Sequence, residues 1–103
     1  MSKPYVSHEH ATIESFRSDP GYAAEYLNAV LEDGDQEELM LALRRVASAF
    51  GMKDVAETAK LNPKTLYRTL SSAGNPELRS FQAILGAMGM RLAVTPLARE
   101  QQR

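Results

Sequence analysis

The segment NPKTLYRTLS, residues 62–71, concentrates more usable chemistry than any other stretch of these 103 residues. Lys64, Tyr67, Arg68 and Ser71 are spaced +3, +4 and +7, so a helix would line them along one face. That face offers ammonium, phenol, guanidinium and hydroxyl donors in a row, the groups that bond phosphate oxygens and base edges. Leu66 and Leu70, four apart, take the opposite face and point inward. Asn62 is placed to cap this helix, and Pro63 stands at its first position, where a missing N–H costs nothing.

The residues just before supply the support such a helix needs. Val55, Ala56 and Ala59 share one side of a short first helix, and Leu61 falls in the turn. Two helices crossing at about 90–120° would leave room for little more than a methyl group at Ala56. Residues 52–71 therefore read as a helix-turn-helix, whose second helix enters the major groove of DNA. Lys64 and Arg68 would offer donors to guanine or phosphate, Asn62 to adenine or phosphate, and Tyr67 would lie over sugar or a thymine methyl. A purely structural helical corner would carry the same periodicity. One position departs from the pattern: the first helix of such a corner ends at positive φ, usually on glycine, and here Lys60 stands there. The cost is about 1 kcal/mol, which is tolerable.

No other constellation competes. His8 and His10 flank Glu9, but no third ligand is near, and zinc needs three or four that converge. Glu32, Asp33, Asp35, Glu37 and Glu38 crowd one helix junction, where capping and solubility account for them better than acid–base work. Ser48, Ser71, Ser72 and Ser80 lie outside any nucleophile elbow, and no glycine-rich loop precedes a lysine in Walker fashion. The absence of cysteine excludes disulfides, thiolate metal sites and a cysteine nucleophile. An enzyme is not expected, nor a cofactor, nor a metal site.

The formal net charge of −1 conceals a division. Residues 1–38 hold nine acidic side chains against Lys3 and Arg17, a net −7, whereas residues 39–103 hold ten basic against four acidic, a net +6. A nearly neutral chain can thus still present a basic face to phosphates. Arg44 and Arg45, off the apolar stripe of their helix, could touch phosphates or simply be solvated. The amino terminus lacks an apolar signal core and no run nears the roughly 20 apolar residues of a membrane span, so a cytoplasmic protein is expected.

Stepwise punctuation defines the elements that would hold the stripe in place. Asp19-Pro20, Asn62-Pro63 and Asn75-Pro76 each pair a capping side chain with proline, and Asp35 with Glu38 makes a capping box. Gly34, Gly51, Gly74 and Gly89 fall at stops or in connectors. Between them run apolar faces at helical spacing: Tyr22-Ala23-Tyr26-Leu27-Val30-Leu31, Leu39-Met40-Leu43-Val46-Ala47-Phe50, and Leu78-Phe81-Ile84-Leu85-Met88. The spacing predicts an all-α, five-helix domain over residues 19–96. A flexible segment, 1–18, would precede it, although Ile13 and Phe16 could dock, and a flexible tail, 97–103, would follow. After Gly89 the period becomes two, with Met90, Leu92 and Val94 alternating, so a short C-terminal β-strand is expected over 90–95. With no strand partner among the helices, it would pair with its mate in a second subunit or with another protein.

Four phrases, LEDGD at 31–35, LYRTLS at 66–71, GNP at 74–76 and MRLAVTP at 90–96, occur in an order that resembles the HigA-like addiction-module antidote proteins, with their lambda-repressor-like (Cro/CI-type) helix-turn-helix. The resemblance covers about residues 22–96. It implies a bacterial antitoxin that neutralises a RelE/HigB-like messenger-RNA-cleaving toxin encoded beside it. It also implies repression of their shared operon by a homodimer on double-stranded DNA with an inverted-repeat operator. Carried over by position, Asn62, Lys64, Thr65, Tyr67, Arg68 and Ser71 would form the DNA face. The residues leave two alternatives: a stand-alone prophage-type repressor, or a protein-interaction module whose helix-turn-helix is structural.

Overall fold

Three of the helices begin where a polar side chain takes up a backbone N–H group that has no partner within the helix. In the computed structural model, which describes residues 15–97, helical residues 15–18 lead into α1 (Pro20–Asp33). It is followed by α2 (Gln36–Phe50), α3 (Met52–Ala59), α4 (Pro63–Thr69) and α5 (Leu78–Ala87). Asp19 accepts a hydrogen bond from the Tyr22 N–H, and Asn62 Oδ1 accepts one from the Lys64 N–H at 2.8 Å. The capping box before α2 is complete: Asp35 Oδ1 accepts from the Glu38 N–H, and Glu38 Oε1 accepts from the Asp35 N–H, both at 2.9 Å.

Asn75 behaves differently from its sequence reading. The helix after it starts only at Leu78, behind Glu77, with no side-chain cap. The Gln36 side-chain amide donates both to the Gly74 carbonyl (2.9 Å) and to Asn75 Oδ1 (3.3 Å), tying the start of α2 to this loop. The N-cap position falls at Glu77, two residues past Asn75, so the Asn75 side chain serves this long-range bond instead of the helix start. Gly74 lies so close to the end of α4 that a Cβ there would collide with the Thr69 carbonyl oxygen.

The core is continuous. Leu27 of α1, Leu43 and Val46 of α2, Val55 and Ala56 of α3, Leu66 of α4 and Ile84 of α5 are all buried in one cluster. Phe16 joins them, fully buried, with its ring 4.9 Å from that of Tyr26 and 5.4 Å from that of Tyr22. α3 is the hub: it packs on α2, on α4 and most extensively on α5, while α1 rests on α2. A helix flanked on three sides needs small inward side chains. Ala56, at 0 % exposure, meets that need.

The expected C-terminal strand is not there. Residues 90–97 form no helix, turn or bend, and no strand occurs among the described residues, which are all-α in their regular structure. The Met90 N–H is used to close α5, bonding the Leu85 carbonyl at 2.9 Å, and every other element that could offer a ladder is helical. The alternation survives only as burial, with Met90 and Leu92 half-buried and Arg91 and Ala93 exposed. His8, Glu9, His10 and Ile13, and the tail from 98 onward, lie outside the described residues. No helix among those described is long and apolar enough to cross a membrane.

Candidate nucleic-acid interface

The corner between α3 and α4 is built by a Schellman motif. The Leu61 N–H bonds the Ala56 carbonyl (2.8 Å) and the Lys60 N–H bonds that of Glu57 (3.1 Å). This pattern demands a left-handed residue at its centre, and Lys60 supplies it with φ 63° and ψ 41°. It is the one non-glycine residue at positive φ among those described. The same motif closes α5, where Met90 bonds Leu85 and Gly89 bonds Gly86, and there a glycine holds the position at φ 80°. Lys60 therefore accepts a local strain to make the turn that presents α4.

α4 is two-faced as its spacing requires. Leu66 and Leu70 are buried at 0 % and 1 % exposure, while Lys64, Tyr67 and Arg68 are exposed, Tyr67 at 46 %. The Lys64 and Arg68 side chains are engaged by no hydrogen bond or ion pair among the described residues, so their donors face solvent. Asn62 is exposed. Its Oδ1 is spent on the cap, which leaves its amide N–H groups available. Thr65 is half-buried beside the stripe. Ser71 is set apart: α4 ends at Thr69, and the Ser71 hydroxyl turns back to donate to the Arg68 carbonyl at 2.8 Å. The structure thus brings Asn62, Lys64, Tyr67 and Arg68 onto one open surface, with Thr65 at its flank and Ser71 beyond the end of the helix.

A partner of this surface escapes sequence inspection. The Arg44 guanidinium of α2 lies over the Tyr67 ring, 5.1 Å from its centroid, a cation–π contact. At an exposed site such a contact contributes about 0.5–1 kcal/mol, and it holds Tyr67 while keeping a cation over its ring. Arg45, next in sequence, points elsewhere, with Nη1 3.4 Å from the Tyr26 hydroxyl of α1. Position off the apolar stripe made the two arginines look equivalent; only the packing of α4 on the bundle separates them. Lys53 and Lys60 are also exposed on and just after α3. Among the described residues, no three histidine, aspartate or glutamate side chains converge as a metal site would require.

Comparison with known proteins agrees with an antidote assignment. An uncharacterised protein of Haemophilus influenzae is 30 % identical over 69 residues, which cover 67 % of this chain and 71 % of that protein. No solved structure matches the chain. Residues 9–96, spanning α1 to α5 and the segment after them, match the family described as "Probable addiction module antidote protein". The chain belongs to that addiction-module antidote family, and a toxin is the partner that such membership implies.

Proposed function

We propose that this chain is the antitoxin of a type II toxin–antitoxin module, of the HigA-like kind with a lambda-repressor-like helix-turn-helix. In this reading it neutralises a RelE/HigB-like toxin in the cytoplasm and represses its own operon by binding double-stranded DNA as a homodimer. It acts by binding alone, without catalysis or a cofactor. The observation that carries the DNA half is the two-faced α4, with unengaged Lys64 and Arg68 donors above a floor of buried Leu66 and Leu70. Tyr67, steadied by Arg44, adds a flat apolar face suited to sugar or a thymine methyl. Membership of an antidote family favours this reading over a stand-alone prophage repressor, which would share the DNA chemistry but have nothing to neutralise.

Co-expression tests the neutralising half. The product of the neighbouring reading frame, induced alone, should arrest growth, and simultaneous expression of this chain should restore it with the two proteins co-purifying. Growth arrest that this chain leaves unrelieved, with no complex formed, would remove the antitoxin assignment.

A further inference from the structure

Opposite in chemistry to the α3–α4 corner is an open groove of about 570 Å³ between α1, the start of α2, α5 and residues 90–95. Its apolar surface comes from buried Leu27, Leu43 and Leu85, and from Leu31, Phe81 and Leu92, which retain access to solvent. Leu31 is 50 % exposed at the edge of this groove. No residue from 44 to 80 lines this groove, so it uses none of the side chains of the proposed DNA face.

Charge selects what can fill it. α1 carries Glu25, Glu32 and Asp33 and neither lysine nor arginine, and α2 opens with Glu37 and Glu38 just after Asp35. The Glu32, Asp33 and Glu37 side chains are engaged by no hydrogen bond or ion pair among the described residues. Glu32 and Arg91 are the charged side chains that line the groove itself, and Asp33, Glu37 and Glu38 follow in the chain at the junction of α1 and α2. Unpaired carboxylates repel phosphate, so DNA is not the occupant. A second copy related by two-fold symmetry would offer one Arg91 to these carboxylates and leave most of them facing like charge.

We infer that this groove is the toxin-docking surface, and that it receives a basic segment of the toxin whose apolar side chain seats against Leu31, Phe81 and Leu92. The inference rests on the antitoxin reading and adds the surface that carries it. The carboxylates at the end of α1 and the start of α2 steer and orient the basic segment, while the apolar floor supplies a desolvated anchor. The groove and α4 share no residue, so filling the one uses none of the side chains of the other.

Affinity of the full chain for the protein encoded beside its gene, measured by calorimetry, provides the test. Leu31→Lys should weaken binding at least tenfold without lowering the melting temperature, because Leu31 is half exposed and a cation suits the last turn of a helix. The pair Glu32→Lys and Asp33→Lys should weaken binding similarly at low salt, with a smaller defect at high salt. The pair Lys64→Ala and Arg68→Ala should bind the toxin as the wild type does. Wild-type toxin affinity in Leu31→Lys would overturn the groove while leaving the antitoxin reading intact. Conversion of the free chain from dimer to monomer by Leu31→Lys would make the groove a self-interface and overturn the proposal too. Failure of the wild-type chain to bind that protein would sink the antitoxin reading, and this occupant with it.

Discussion

Replacing Lys64 and Arg68 together by alanine should leave the protein folded and, on the proposed function, remove most of its affinity for operator DNA. Both side chains stand on the exposed face of α4 and make no contact that the fold depends on, and alanine is the best helix former. Where such a side chain makes a bidentate contact to a base, its loss costs about 1–3 kcal/mol and relaxes specificity at that base pair. A contact to phosphate instead lowers affinity evenly across sequences and reduces the salt slope by about one. Anisotropy titrations of each single variant at several salt concentrations separate the two roles. Wild-type affinity in the double variant would remove α4 from the DNA interface and leave the corner a structural one.

Enlarging Ala56 to leucine should be the most damaging single change within the corner. Its methyl group is fully buried on α3, which is packed against by α2, α4 and α5, so no direction is open for three further carbons. Overpacking of this kind costs about 1–3 kcal/mol. In a domain of this size that lowers the melting temperature by about 4–8 °C per kcal/mol. Lys60→Gly should move the other way, because relief of a left-handed residue at φ 63° is worth about 1 kcal/mol, offset in part by the freer unfolded chain. Thermal melts of both variants check the pair. A leucine variant that melts with the wild type would mean that Ala56 is not at a tight crossing.

Local rules made most of the fold legible. Asp19, Asp35 and Asn62 cap the helices their positions suggest, since each bond reaches only two or three residues along the chain. Lys60 adopts the left-handed conformation that the corner pattern demands, even without glycine. Sequence and structure part where a residue has a distant alternative or lacks a distant partner. Asn75 has the local signature of a cap but receives the Gln36 amide from across the molecule. Residues 90–95 have the alternation of a strand, yet a ladder needs a second strand, and the described residues provide none. At the site, the stripe of Lys64, Tyr67 and Arg68 follows from spacing alone. The Arg44–Tyr67 contact joins residues 23 apart on different helices, and no periodicity announces it. The groove beside α1 is likewise assembled from separate segments, so it becomes visible only when they are folded together.

Footprinting the wild-type chain on the DNA upstream of its own reading frame tests whether α4 reads DNA. Protection of an inverted repeat whose half-sites lie about one DNA turn, roughly 34 Å, apart is expected. An unrelated duplex should bind at least about a thousandfold more weakly at the same salt. Equal, unprotected binding to both duplexes would contradict that role, and the exposed cations of α4 would then be no more than a solvated surface.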